Sequence, residues 1–150
     1  MKFLSKLFMA LCLSLCFGAV AANAQIDTEV TVEANIPHPF VVEKTTLPAG
    51  RYMIKLADTH DNDLNTMEIR SVSGHTAVFF ETEDEKAKEN PSKTELVFNK
   101  VGDTYFLSEV FVAGDYTGNK LRKSRMEERL EAKGMTAERH SVAAVGRPLK

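Results

Sequence analysis

The sequence predicts an all-β domain: an antiparallel β-sandwich, with a small closed β-barrel as the alternative, followed by one short C-terminal helix. Three observations carry this expectation. Short alternating apolar and polar runs recur at spacings of about 8 to 15 residues, parted by Gly, Pro and Asx turn signals. Thr94 to Gly114, TELVFNKVGDTYFLSEVFVAG, is the densest apolar run outside the N-terminus. Its break at Val101-Gly102-Asp103 is turn-like, so it reads as a central β-hairpin. Only Ser124 to Lys133 carries the start and stop signals of a helix.

The first 24 residues read as an address rather than as part of the domain. Lys2 and Lys6 make a basic start, Leu7 to Ala21 is apolar but short for a membrane span, and Ala22-Asn23-Ala24 is a small-x-small cleavage pattern. Cleavage after Ala24 is expected, with export to the periplasm or the medium. An uncleaved N-terminal anchor is the alternative. Both cysteines, Cys12 and Cys16, lie inside this segment, so a processed chain would form no disulfide and hold no cysteine nucleophile. Removing Lys2 and Lys6 from the 19 basic residues leaves 17 against 21 acidic ones, a net charge of −4. That balance speaks against nucleic acid as a partner, and no later apolar run is long enough for a membrane-spanning helix.

Residues 25–136 are expected to form the sandwich with its helix. Thr28 to Ile36 alternates, with Val30, Val32, Ala34 and Ile36 on one face. Pro37-His38-Pro39 breaks that strand, because proline fixes φ and donates no ladder hydrogen bond. Phe40-Val41-Val42 resumes it, as a strand crossing between sheets at a corner would. Leu47-Pro48-Ala49-Gly50 is a turn, and Arg51 to Leu56 is a strand with Tyr52, Ile54 and Leu56 inward. Asp58 to Asn65 is a polar loop. Met67 to Val72 and His75 to Thr82 pair about Ser73-Gly74, and Glu83 to Ser92 reads as a charged loop. Tyr105 to Val112 is apolar on both alternating sets except at Ser108 and Glu109, as in a strand covered on both faces. With the central hairpin this makes seven strands. In the helix, Ser124 and Glu127 form a capping-box pattern, Met126 and Leu130 an apolar pair, and Gly134 the stop. Residues 137–150 read as a tail, with a short strand over His140 to Val145 as the alternative.

VEANIPHPFVVEKTTLPAGRYMIKL, Val32 to Leu56, and GDTYFLSEVFVAGDYTGNKLRKSRMEERL, Gly102 to Leu130, together resemble small exported bacterial proteins of unknown function. These share an ANIPxxFVV…LPAGxY opening and a GDxYFLSxV…TG…L..S..E closing. The resemblance implies a signal peptide and a compact, mostly β domain, and it assigns no catalytic residue.

Candidate chemistry is sparse. Lys120, Arg122, Lys123 and Arg125 form a basic run suited to an anionic polymer or lipid headgroups. Asp58, Asp61 and Asp63 offer carboxylates for calcium. Read as an EF-hand loop from Asp61, however, the loop has Thr66 where the turn wants Gly and Val72 where the bidentate Glu belongs. His38, His60, His75 and His140 show no zinc-ligand spacing, and no G-x-S-x-G occurs. Glu109, in the most apolar strand, should face solvent or pair with Arg51, Lys55 or Arg70. The expectation is an exported, non-enzymatic module without a cofactor that binds an envelope component or another exported protein. The rivals are a lipocalin-like carrier lined by Phe79, Phe98, Tyr105 and Phe111, and a small hydrolase built on Glu109. An outer-membrane barrel ranks lower, since most strands are short and Trp is absent.

Overall fold

The computed structural model describes residues 30–57 and 65–148. They form ten strands and one helix. In chain order these are β1 (Val30–Ile36), β2 (Phe40–Val42), β3 (Thr45–Leu47), β4 (Gly50–Leu56), β5 (Thr66–Ser71), β6 (Ala77–Lys86), β7 (Glu95–Val101), β8 (Thr104–Phe111), β9 (Thr117–Leu121), α1 (Arg125–Ala132) and β10 (Ala137–Pro148). The expected central hairpin is β7–β8. Its two-residue turn has Gly102 at φ +62°, as a turn with Gly at its first central position requires.

The all-β class holds, and of the two expected architectures the strands form the alternative, a closed barrel of eight strands in the order β1-β4-β5-β6-β9-β8-β7-β10 and back to β1, rather than the sandwich. Two long strands make the closure. β6 pairs with β5 through Ala77–Glu81 and with β9 through Thr82–Lys86. β10 pairs with β7 through Ala137–Ala143 and with β1 through Ala144–Pro148. Each of these two strands therefore joins one wall to the next. Two sequence readings fall with this. Residues 83–86 are the second half of β6, not loop, and residues 137–148 are a barrel stave, not a tail. Their apolar content is low because each shows a charged or small-residue face outward and is held in the wall by backbone pairing, residues 83–86 to β9 and residues 137–148 to β7 and then β1.

Pro37-His38-Pro39 carries the chain across one barrel end, from β1 to β2, which lies parallel to β8 at Val41 and Phe106. The β2–β3 hairpin widens the wall there and adds Phe40, Val42 and Leu47 to the core. The interior is filled by Phe40, Phe80 and Phe98 with Ile36, Ile54, Ile69 and Leu96, all fully buried. Phe40 meets Tyr52 and Phe98 edge-on at 5.2 and 5.6 Å between ring centres. A smaller cluster of Val41, Val101 and Phe106 lies on the outer face, where Leu130 of α1 covers it. Ser124 caps α1, its Oγ accepting from the Glu127 N–H at 3.1 Å, and Gly134 follows the helix at φ +86°. Met126, expected to pair with Leu130, is exposed instead.

Candidate functional site

The basic run is engaged with acidic neighbours. Lys120 Nζ lies 3.1 Å from Glu85 Oε2, and Arg122 Nε donates to Glu83 Oε1 at 2.8 Å. Lys123 donates to both Glu131 oxygens at 2.7 Å, which holds its ammonium above the usual lysine range. Arg125 is exposed at the start of α1, with no ion pair among the described residues. The cause is β6: its second half lies antiparallel to β9 and lays Glu83 and Glu85 along the basic face. This stretch presents neutralised pairs rather than an open cationic patch. Asp58, Asp61 and Asp63 lie outside the described residues. Among the described residues, no group of three or more His, Cys, Asp or Glu is placed to hold a metal ion.

Glu109 is where the wall departs from regularity. β7 and β8 shift register between Val97 and Phe98, so Val97 opposes Glu109 while Phe98 opposes Leu107. Ser108 is the extra residue of a β-bulge. Leu107 and Val110 both reach the core, and Ser108 and Glu109 are both left on the outer face. The Glu109 carboxylate is buried and takes two hydrogen bonds from Arg139, at 3.1 and 2.6 Å. The partner is thus not Arg51, Lys55 or Arg70 but a residue of β10, two strands away. The stretch holding Arg139 reads as a tail in the sequence, and its weak alternation was the only signal that could have revealed it.

This ion pair ends an outer groove of about 450 Å³. Phe111 and Pro91 supply its apolar surface, and Lys86, Lys88, Lys93 and Glu95 stand around it. Phe111 is nearly buried because β9 has Gly118 beside it: a Cβ there would lie 2.4 Å from the ring. Of the four aromatics expected to line an interior cavity, Phe111 faces this groove and Phe79 is 58% exposed. Phe98 lies in the packed core, and Tyr105 lies at the barrel end, stacked on His38 at 3.6 Å.

A polar network lies beneath α1. Asn99 Nδ2 is 2.8 Å from Glu127 Oε1 and 3.3 Å from Ser108 Oγ. Glu127 is 3% exposed, and burial pushes its carboxyl above the ordinary value of 4.5, partly offset by the Asn99 amide. On β1, Glu33 accepts from Arg51 and forms an ion pair with Arg147, and these contacts hold its carboxyl below the ordinary range. A second groove, of about 240 Å³, opens beside them.

Compared with known protein families, curated proteins and solved structures, the chain matches none of them.

Proposed function

We propose that this is an exported, non-enzymatic binding module that meets an envelope component or another exported protein through the outside of its barrel. The observation that carries this reading is the filled interior: Phe40, Phe80, Phe98, Ile54 and Ile69 occupy the space a lipocalin-like carrier would need for its ligand. The groove over Phe111 is the favoured contact, because it joins an apolar floor to a rim that mixes the cations Lys86, Lys88 and Lys93 with the carboxylates Glu85, Glu89 and Glu95. Glu109, the residue a hydrolase reading would use, is engaged at both oxygens by Arg139. The exported small-protein resemblance of the Val32–Leu56 and Gly102–Leu130 segments supports the same reading and the same compartment.

Native mass spectrometry of the protein, expressed from its full-length coding sequence and recovered from the periplasm or medium, tests both halves. The expected species begins at Gln25 and carries no adduct. A co-purified lipid would transfer the assignment to the carrier, and an intact Met1 would remove export.

A further inference from the structure

The wall of the barrel splits where β10 changes neighbours. β10 is registered with β1 as far as Ala34 opposite Ala144, and from Ala143 it is registered with β7 instead. The Ala144 N–H donates to the Thr94 carbonyl at 3.0 Å, which turns the strand toward β7. Past Ala34, β1 keeps only β4 as a partner, with Asn35 opposite Arg51. A wedge therefore opens between the last residues of β1 and the middle of β10. The small side chains Ala143 and Ala144 leave it unfilled, as a groove of about 240 Å³.

Two arginines flank this wedge from different strands. Arg51 of β4 and Arg147 of β10 both converge on the one Glu33 carboxylate, Arg147 Nη2 at 3.2 Å from Oε2. Their side chains are 61% and 66% exposed, whereas the Glu33 side chain is 15% exposed. The carboxylate lies beneath and holds the two guanidiniums above it. Each guanidinium has five N–H donors and gives only part of that set to Glu33. One carboxylate against two guanidiniums leaves a single positive charge in excess. The next charged residues line neither side of the wedge: Arg70, on β5 beyond Met53, is paired with Glu68, and Glu95, opposite Ala143 on β7, lines the other groove. Val145, 55% exposed, gives the wedge an apolar lip.

We propose that the wedge between β1 and β10 binds a small monoanionic carboxylate, held by the Arg51 and Arg147 guanidiniums with the Asn35 amide as a further donor. The planar carboxylate matches the fork of a guanidinium. Its single charge neutralises the excess left by Glu33, whereas a dianion would leave the site net negative and costs far more to strip of water. The groove volume admits a headgroup of a few heavy atoms, with any apolar substituent lying along Val145. This site is separate from the groove over Phe111 and stands or falls independently of it.

The test is an amide chemical-shift titration of the protein from its full-length coding sequence at pH 7.5 and constant ionic strength. Sodium acetate is the probe, and inorganic phosphate, mostly dianionic at that pH, is the rival. Acetate should give saturable shifts at Asn35 and Ala143 to Val145, with phosphate, costlier to desolvate, at least roughly threefold weaker. Arg51→Gln and Arg147→Gln, both at exposed side chains, should each weaken acetate by roughly tenfold. Glu33→Gln doubles the excess charge and should turn the preference toward phosphate. Absence of saturable shifts, an acetate response unchanged in both arginine variants, or a native preference for phosphate would overturn the proposal. If Glu33→Gln fails to fold, the two arginine variants still decide it.

Discussion

Arg139 on β10 reaches over β7 to hold the buried carboxylate of Glu109 on β8 with two guanidinium nitrogens, so one ion pair ties three consecutive staves together. The guanidinium is half exposed and the carboxylate is not, so the two partners are not equivalent. Arg139→Met strands a buried anion and should cost about 1–3 kcal/mol. Adding Glu109→Leu removes the stranded charge and should recover most of that loss, since an apolar pair of similar size replaces a buried ion pair at little cost. Urea unfolding of the two single variants and the double variant measures the coupling. Additive losses would mean that the pair contributes nothing of its own.

Gly118 is required by Phe111 rather than by its own backbone. An added Cβ would sit 2.4 Å from two ring carbons and 3.0 Å from the Val110 carbonyl oxygen. Gly118→Ala should destabilise by about 1–3 kcal/mol and push the ring into the outer groove. In a Phe111→Val background, which has no atoms at the ring positions, most of that cost should vanish. Thermal unfolding of the four proteins checks this, and an undiminished cost would place the clash on the backbone instead.

Several residues in the Val32–Leu56 and Gly102–Leu130 segments have specific packing partners. Tyr52 of LPAGRY is buried and returns its hydroxyl to the Pro48 carbonyl at 2.8 Å. Tyr105 of the second motif is stacked by His38, which occupies an open position of the first. Gly118 accommodates Phe111, and Ser124 caps α1. Local chemistry of this kind is legible: turns, alternation and caps placed β1, β4, β5, the β7–β8 hairpin and the helix. What was not legible is pairing between distant segments. A run of charges does not announce a partner strand: Glu83 and Glu85 look like loop residues until β9 lies beside them, and Ala143-Ala144 looks like tail until β7 and β1 claim its two sides. The barrel, the Arg139 contact and the wedge beside Arg51 and Arg147 all depend on those two long strands. A closed barrel stands as the alternative to a sandwich, but without those two strands neither the choice between them nor the candidate site is legible.

The β2–β3 turn stores a local strain that can be relieved. Val42 pairs with Thr45, which leaves Glu43-Lys44 as a two-residue loop, and Glu43 sits at φ +53°. A residue with a Cβ is disfavoured by about 1 kcal/mol in that left-handed conformation, an advantage for glycine that its greater freedom in the unfolded chain partly offsets. Glu43→Gly should therefore stabilise by about 0.5 kcal/mol, and Glu43→Val, β-branched at the same position, should destabilise. Equal melting temperatures for the glycine and valine variants would show that the turn relaxes freely.

Glu127 gives the helix a pH dependence of definite sign. Burial raises its folded-state value above the ordinary 4.5, so the folded protein binds this proton more readily than the unfolded chain does. Above the raised value the ionised carboxylate is penalised in the folded state. As pH falls through it toward 4.5 the penalty is lifted, so this group makes the protein less stable with rising pH. Glu33, held below its ordinary range by Arg51 and Arg147, acts in the opposite direction, contributing stability that is lost on acidification. A comparison with Glu127→Gln isolates the first effect, because both proteins carry Glu33. The amide retains an acceptor for Asn99 and suits the same capping position. The variant should be more stable than the parent by about 1 kcal/mol at pH 7, with the advantage shrinking as the pH approaches 4.5. Denaturation midpoints across this interval measure the difference. An advantage that instead grew on acidification would mean that Asn99, Ser124 and Lys123 favour the ionised carboxylate by more than burial disfavours it.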